Sequence, residues 1–342
     1  MTAQTMTPSN PPSKPLRLGT RRSPLATAAP GPPPTPPQPP AAGGPRRSRL
    51  AMARAEEARA RLCAAHGWNE DAVELVPVPA SGDKVQDRPL AEIGGKALWT
   101  KELDAWLLAG EIDFAVHSAK DVETLRPAAI ALTAVLPRED VRDVLVGAST
   151  IHALPQGARV GTSAPRRAAQ LLHARPDCTV VPFRGNVQTR LAKLAAGEAD
   201  ATLLALAGLN RLGQHGVGHP LPADEWLPAP GQGAIAIECR ADDADTQGLL
   251  RAIDDRASHV ALLAERALLA ALGGNCHSPI AVLTEAEGAD LTMHAVLFSP
   301  DGAERTALEL AFAAADASGP RRLAEALLAA APEAIRAHFT GA

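Results

Sequence analysis

The chain has 342 residues, which is more than one typical hydrophobic core accommodates and predicts two or three domains. Its formal charge of -4 at pH 7 gives no general attraction to nucleic acid or to an anionic membrane, so an anion site must come from a local cluster. Four widely spaced cysteines without a CxxC pair argue against a zinc ribbon or a disulfide framework. No stretch approaches the ~18 apolar residues of a membrane span and no apolar signal region precedes residue 16, so we expect a cytoplasmic protein that binds neither nucleic acid nor membrane.

A proline-rich segment interrupts the first strand-to-helix junction. A strand is expected over residues 16–20 and a helix over 51–65, but residues 27–45 hold nine prolines and three glycines. No helix or central strand can run through that composition. The sequence RRSPLA at 21–26 recurs as RRSRLA at 46–51. We infer an insertion that divided one junction and left a near copy of it on each side.

Beyond the insertion the chain alternates between predicted strands and helices. Strands are predicted at 73–78 and 112–116, and a helix at 96–108 has apolar residues at the spacing of one buried face. A second series follows, with strands at 159–161, 179–182 and 201–206 and helices after Ser163 and from Val187. This alternation predicts an α/β fold with parallel or mixed sheets covered by helices, in which ligands bind at the carboxyl ends of the strands.

The pattern changes from about residue 257 onward. A predicted helix at 259–272 leads into the loop GGNCHSP at 273–279, and strands at 291–298 and 305–312 then flank an SPDG turn. A helix at 320–331 follows. These elements predict a small α+β domain with a β-hairpin.

The predicted strand ends are rich in cations. Arg166 and Arg167 follow a strand at a helix N-terminus, where free backbone N–H groups favour anions. One arginine pair could be a solvated helix face, but the convergence of several strand ends favours a cleft for a polyanion. Because the sequence lacks a P-loop, carboxylates fit better than phosphates. The strand-end cations are Arg21, Arg22, Lys120, Arg166, Arg167, Arg184, Arg190 and Arg211.

Two further residues could carry chemistry. Asp121 follows Lys120 at a strand end, where nearby cations would keep its carboxyl group ionised and able to stabilise a cationic intermediate or exchange a proton with it. The alternative is an aspartate that only caps a turn. Cys276 lies on a loop and could be a nucleophile or an attachment point, whereas most single cysteines are inert and buried.

Nine segments in order resemble the porphobilinogen deaminase family, from residue 16 to about residue 337. They are GTRRSPLA at 19–26, IGGKALWTKEL at 93–103, AVHSAKD at 115–121, GTS at 161–163 with Arg166 and Arg167, FRGNV at 183–187 with Arg190, AGL at 207–209 with Arg211, LPAPGQG at 227–233, ERA at 265–267, and Cys276 with PI at 279–280. The resemblance implies two binding-protein-like α/β domains around a cleft and a small C-terminal α+β domain. The implied boundaries are 14–136 with 232–254 for the first domain, 141–228 for the second and 256–342 for the third.

The resemblance also implies an activity, a transferase reaction in porphyrin, heme and tetrapyrrole biosynthesis. Four porphobilinogen molecules are joined head to tail with loss of ammonia, and hydroxymethylbilane is released by hydrolysis. The growing chain starts from a dipyrromethane cofactor bound through a thioether to Cys276, and Asp121 is the implied catalytic residue. The implied cofactor-binding residues are Cys276, Lys120, Thr162, Ser163, Arg166, Arg167 and Arg190, and the implied substrate-binding residues are Arg21, Ser23, Arg184 and Arg211. No metal is implied, and the resemblance suggests a monomer.

The chain departs from the family pattern at several positions. Ala119 replaces a common methionine, and Glu123 stands where a proline is usual. The insertion leaves two candidates for the first cleft residues, Arg21 with Ser23 or Arg46 with Ser48, and we favour the first pair because the predicted strand precedes it. Two alternative functions are considered besides the enzyme. The chain could be a non-catalytic binding protein for a carboxylated ligand, or a family member whose activity is impaired by the insertion.

Overall fold

The structure of the chain, a computed structural model, describes residues 11–22, 49–79, 100–275 and 277–339. The proline-rich segment 27–45, the candidate residues Ser23, Arg46 and Ser48, and Cys276 lie outside the described residues. The first four residues of the helix predicted at 96–108 also lie outside them.

The described residues form strands and helices in alternation over most of the chain. The strands are β1 (Leu16–Arg22), β2 (Val73–Pro79), β3 (Phe114–Ser118), β4 (Ile130–Val135), β5 (Asp143–Val146), β6 (Arg159–Gly161), β7 (Thr179–Val181), β8 (Ala201–Ala205), β9 (His219–Pro220), β10 (Ile235–Arg240), β11 (Ile280–Glu287), β12 (Asp290–Phe298) and β13 (Arg305–Ala313). The helices are α1 (Arg49–His66), α2 (Lys101–Leu108), α3 (Pro165–Ala174), α4 (Val187–Ala195), α5 (Leu206–Arg211), α6 (Ala244–Leu250), α7 (Arg256–Ala271), α8 (Gly319–Ala330) and α9 (Glu333–Arg336).

The first sheet has the strand order β2-β1-β3-β10-β4. β1 runs parallel to β2 and β3, whereas β10 runs antiparallel to β3 and β4. Leu18 on β1, Leu62 on α1 and Phe114 on β3 are fully buried in its core. Because β10 follows β9 in the chain, the chain leaves this sheet after β4 and returns to it only after completing a second sheet.

The second sheet repeats this arrangement. Its order is β7-β6-β8-β5-β9, with β6 parallel to β7 and β8, and β5 antiparallel to β8 and β9. Leu145, Val160 and Leu203 form its buried core. In the spatial order of each sheet, three parallel strands are therefore flanked by a strand of opposite direction, β10 in the first sheet and β5 in the second. Each of these two strands comes directly after the chain has crossed from the other sheet.

The third sheet is an antiparallel meander in the order β11-β12-β13. α7 and α8 contribute Leu268 and Leu327 to a core that includes Met293 of β12. The protein is thus an α/β molecule with two mixed sheets of similar topology and a small α+β unit at the C-terminal side, as the fold prediction stated. Within the described ranges, no helix is long and apolar enough to span a membrane.

Candidate active site

The end of β3 brings Lys120 and Asp121 to the surface. All five residues of β3 are buried, and the strand continues into a single 3-10 turn over Ala119–Asp121. The backbone N–H of Ala119, which is itself buried, donates to the carbonyl oxygen of Ala234 at 3.1 Å. The next two side chains emerge from the core, so that Lys120 is partly buried and Asp121 is exposed.

Gly231 in the chain returning to the first sheet makes this turn possible. Its φ is +70°, and a Cβ at this position would lie 3.1 Å from the backbone nitrogen of Lys120. A residue with a side chain would be strained here for two reasons, because its backbone would adopt the left-handed conformation and its Cβ would lie too close to the backbone of Lys120. The segment around Gly231 can therefore pack directly against the turn that carries Asp121.

Lys120 is held beside a second charged group. Its Nζ donates to Oε1 of Gln232 at 3.1 Å, and Nε2 of the same amide donates to Oδ1 of Asp143 at 2.8 Å. The pKa of Lys120 is lowered to about 8, mainly by burial and also by the charge of Arg167, while the carboxylates of Asp121 and Asp143 act in the opposite direction. The first and second sheets are therefore joined by one hydrogen-bonded line of polar groups at this place.

Arg166 and Arg167 lie at the start of α3 and both bind Asp143, the fully buried first residue of β5. Arg166 donates from Nη2 at 2.7 Å, and Arg167 donates from Nε at 3.0 Å and from Nη2 at 2.7 Å. Burial acts to raise the pKa of Asp143, but the two guanidinium groups outweigh it and hold that pKa well below its usual value. Two cations face one carboxylate, so a positive charge remains, and Nε of Arg166 is buried with no hydrogen-bond partner among the described residues.

The neighbouring hydroxyl groups make local bonds. Thr162 at the end of β6 is buried, and its hydroxyl accepts from the backbone N–H of Ala164 at 3.2 Å. The hydroxyl of Ser163 donates to the carbonyl oxygen of Phe183 at 3.0 Å. Both residues thereby fix the turn between β6 and α3 that positions the two arginines.

A second group of cations comes from the connection between β7 and α4. Arg190 on α4 donates from Nε to the carbonyl oxygen of Gly185 at 3.0 Å. The pKa of Arg190 is lowered to about 10, mainly by burial and also by the charges of Arg167 and Arg184, while Asp121 acts in the opposite direction. The charges of Arg167, Arg184 and Asp121 therefore all act on the guanidinium group of Arg190.

Arg211 at the end of α5 connects three parts of the fold. Its Nε donates to Oε2 of Glu57 on α1 at 3.2 Å, and its Nη2 donates to the carbonyl oxygen of Gly233 at 3.1 Å. The Arg211 side chain is 9% exposed. It therefore holds α1 against α5 in addition to placing a positive charge near the site.

Arg54 on α1 is a cation of the site that the sequence reasoning missed. Its pKa is lowered to about 10, mainly by burial and also by the charges of Arg211 and Arg21, while the carboxylate of Asp121 acts to raise it. Arg21 itself lies at the end of β1, opposite Val78 of β2. The first sheet and α1 thus place Arg21 and Arg54 in the same neighbourhood as Asp121.

The loop that contains Cys276 begins next to the Asp121 segment. The hydroxyl of Thr124 donates to the carbonyl oxygen of Gly274 at 3.1 Å. Nη2 of Arg266 on α7 donates to the carbonyl oxygen of Thr124 at 2.9 Å and also to that of Glu123. Gly274 stands two residues before Cys276 in the chain, so the described start of this loop is fixed three residues from Asp121 in sequence and in direct contact with that segment.

Glu265 on α7 binds both segments that cross between the first two sheets. Its carboxylate accepts from Nη1 of Arg138 at 2.7 Å and from the backbone N–H of Gly231 at 2.6 Å. The side chain of Glu265 is fully buried. The C-terminal unit is thereby joined to the crossing point that supports Lys120 and Gln232.

The arrangement is suited to a ligand with several carboxylates. The charge of exposed Asp121 acts on Arg54 of α1, Lys120 after β3 and Arg190 of α4, and the charges of further arginines from β1, α3 and α5 act on Arg54 or Lys120. Guanidinium groups bind carboxylates through paired hydrogen bonds, and a buried polyanion needs nearly all of its charges paired. The isolated carboxylate can stabilise a positive charge that develops on the ligand.

Comparison with known proteins identifies the family. A profile described as "Porphobilinogen deaminase, dipyromethane cofactor binding domain" matches residues 43–248, and one described as "Porphobilinogen deaminase, C-terminal domain" matches residues 260–329. The first match begins at residue 43, so it includes the second copy of the repeated segment, RRSRLA at 46–51, and does not include β1. Its description assigns dipyrromethane as the cofactor.

Curated relatives agree along most of the chain. The porphobilinogen deaminase of Sphingopyxis alaskensis is 56% identical over 335 residues, which cover 96% of this chain and 98% of that protein. The porphobilinogen deaminase of Paracoccus denitrificans is 52% identical over 293 residues, which cover 84% of this chain and 94% of that protein. The chain therefore belongs to the porphobilinogen deaminase family, transferases of tetrapyrrole biosynthesis that act on porphobilinogen as hydroxymethylbilane synthases.

Proposed function

We propose that the chain builds hydroxymethylbilane on a primer held by Cys276. Four porphobilinogen molecules are added head to tail with loss of ammonia, and hydrolysis releases the product. The observation that carries this proposal is the group of cations on which the charge of exposed Asp121 acts, namely Lys120, Arg54 and Arg190, together with the bond that joins Thr124 to the start of the Cys276 loop. Covalent attachment removes the translational cost of rebinding each intermediate.

The residues fit a dipyrromethane cofactor, which carries four carboxylates. The uncompensated charge of the Arg166 and Arg167 pair, the unpartnered Nε of Arg166 and the charge of Lys120 would meet these carboxylates. When bound, the dipyrromethane supplies the terminal pyrrole to which new units are joined. We assign its binding to Lys120, Thr162, Ser163, Arg166, Arg167 and Arg190, with attachment through the sulfur of Cys276.

We assign the acetate and propionate groups of the substrate to Arg21, Ser23, Arg184 and Arg211. Arg211 uses Nε and Nη2 for Glu57 and Gly233, which leaves guanidinium hydrogens for a ligand. Ser23 follows β1 directly, and this supports the first RRS copy as the source of these residues. The family profile, which begins at residue 43, favours Arg46 and Ser48 instead, so variants at both copies are needed to decide between them.

Asp121 is the proposed catalytic residue. When the carbon–nitrogen bond of porphobilinogen breaks, nitrogen leaves as ammonia and a positive charge remains on the substrate. The exposed carboxylate of Asp121 would stabilise this cation, while the surrounding guanidinium groups are occupied by the carboxylates of the ligand. Formation of the new carbon–carbon bond would release one proton, and the carboxylate of Asp121 would exchange that proton.

We further propose three domains with the boundaries given above, at 14–136 with 232–254, 141–228 and 256–342. The crossing segments and the binding of Glu265 to both of them support a hinge between the first two domains. We also propose that the protein acts in the cytoplasm as a monomer.

Intact-protein mass spectrometry tests the attachment. Protein from cells that make porphobilinogen should be heavier than its polypeptide by one dipyrromethane, and Cys276→Ser should remove this addition. Cys63→Ser is the matched control, because this buried thiol only donates to the carbonyl oxygen of Asn69 and a hydroxyl can replace it. A bare polypeptide mass for the unsubstituted protein, or an addition that survives in Cys276→Ser, contradicts the proposal.

A further inference from the structure

Among the residues that the structure describes, the guanidinium group of Arg54 on α1 forms no hydrogen bond or ion pair. Arg54 is partly buried on α1, and its Nε is buried without a hydrogen-bond partner among the described residues. The nearest acid on the same face of the helix is Glu57, three residues further on. Both oxygens of Glu57 are already engaged, Oε1 by Arg61 and Oε2 by Arg211.

Five other arginines of the first two α/β sheets and their connections bind carboxylates of the fold. Arg166 and Arg167 bind Asp143, Arg138 binds Glu265, Arg126 binds Asp104 and Glu238, and Arg211 binds Glu57. A partly buried cation without such a bonded partner costs stability, since the charge of Asp121 offsets only part of the desolvation of Arg54. Its like-charged neighbours Arg21 and Arg211 add to that cost. A ligand carboxylate would remove both costs.

The position of Arg54 distinguishes between two parts of such a ligand. The charges that act on Arg54 are those of Asp121, Arg211 and Arg21, whereas those that act on Lys120 are Arg167, Asp121, Asp143 and Arg166. Hydrogen bonds show the same two cation groups: Thr20, beside Arg21, donates to the carbonyl oxygen of Ala51 on α1 and Arg211 binds Glu57 on that helix, whereas Arg166 and Arg167 at the start of α3 bind Asp143. The second group is the one assigned above to the primer.

We propose that Arg54 binds a carboxylate of the incoming porphobilinogen, on the α1 side of Asp121 and beside Arg21 and Arg211. This inference rests on the proposed function, in which a primer and a new unit meet at Asp121. It adds a substrate-specificity residue that the strand-end pattern does not contain, since Arg54 comes from the middle of a helix.

Steady-state kinetics of the cofactor-bearing protein test the inference. Arg54→Ala should raise the KM for porphobilinogen roughly tenfold or more, because one charge-assisted hydrogen-bonded contact is lost, and should change kcat much less. Arg54→Lys, which keeps the charge, should recover part of the loss. Arg59→Ala is the matched control, because this arginine is on the same helix and binds Glu70 at 2.7 Å, and its KM should not change.

A substrate analogue locates the contact. Analogues are compared in which either the acetate or the propionate of porphobilinogen is replaced by a neutral amide. The unsubstituted protein should bind the analogue less tightly when the replaced group is the carboxylate that Arg54 binds. The same replacement should cost Arg54→Ala little, since that contact is already absent.

Three results overturn the inference: an unchanged KM in a folded Arg54→Ala protein, equal analogue penalties in both proteins, or loss of the dipyrromethane mass in Arg54→Ala, which would assign Arg54 to the primer. Failure of the proposed function is distinguishable, because the unsubstituted protein would then have neither the added mass nor product formation.

Discussion

Removal of the charge of Asp143 should destabilise the protein strongly, because this one carboxylate balances two buried cations. Asp143 accepts from Arg166, twice from Arg167, and from Trp226 and Gln232 at 3.0 and 2.8 Å. In Asp143→Asn one carboxylate oxygen is replaced by an NH2 group. Whichever of the two oxygens is replaced, the new NH2 group faces at least two other hydrogen-bond donors. Breaking a buried ion pair from one side typically costs about 3–5 kcal/mol, and we expect a loss in this range.

Urea unfolding followed by far-ultraviolet circular dichroism measures this loss. The free energy of unfolding of Asp143→Asn should fall by about 3–5 kcal/mol relative to the unsubstituted protein. Glu333→Gln is the control, because the Glu333 pair with Arg336 is exposed and its loss should change little. A loss below about 1 kcal/mol for Asp143→Asn would refute the assignment of Asp143 as the balancing charge of the arginine pair.

Three further predictions concern the same region. Gly231→Ala should lower the free energy of unfolding by about 1–3 kcal/mol. Gly157→Ala is the control and should cost less, because Gly157 has a similar φ of +71° but open space around it. Equal losses for the two variants in urea unfolding would contradict the close-contact argument. Burial lowers the pKa of Lys120 to about 8 from 10.5, so in cofactor-free protein the unfolded chain binds more protons between these values and stability should rise with pH across this window. Lys120→Met should flatten that rise in unfolding free energies measured at intervals from pH 8 to pH 10, and an unchanged slope would exclude Lys120 as its source. Thr124→Val should lower the free energy of unfolding by about 1 kcal/mol and slow product formation while the cofactor mass is retained; unchanged turnover would show that the bond to Gly274 does not position the loop.

The sequence predicted the strand ends of the site well because those residues follow apolar, β-branched runs. The strand predicted at 112–116 is observed as β3 (Phe114–Ser118), and the helix predicted at 51–65 is observed as α1 (Arg49–His66). The position of Lys120 and Asp121 after β3 follows from the pattern alone. The convergence of separate strand ends on one site stays a prediction, because Lys120 and Asp121 follow the same strand and Arg54 lies within a helix.

Other features depend on contacts far apart in the chain, which local patterns do not contain. β5 begins with Asp143 inside the charged run REDVRD, so the sequence resembles a loop, and only the arginines of α3 make a buried aspartate tolerable there. β4, β10 and β11 were not predicted either, and β10 pairs with strands more than a hundred residues earlier in the chain. Arg54 was missed because helical arginines are usually solvated. It lies three residues after buried Ala51 and four before buried Ala58, and this position at the edge of the buried face was the available signal.

The role of Asp121 in elongation is the central claim, and mass spectrometry of the cofactor-bearing protein after brief exposure to porphobilinogen tests it most directly. The unsubstituted protein should show a series of masses that increase by one porphobilinogen less ammonia at each step, up to four additions. Asp121→Asn should keep the starting dipyrromethane mass and remain there, because the cation formed when ammonia leaves lacks its carboxylate. A series of additions in Asp121→Asn at a rate near that of the unsubstituted protein would contradict the account.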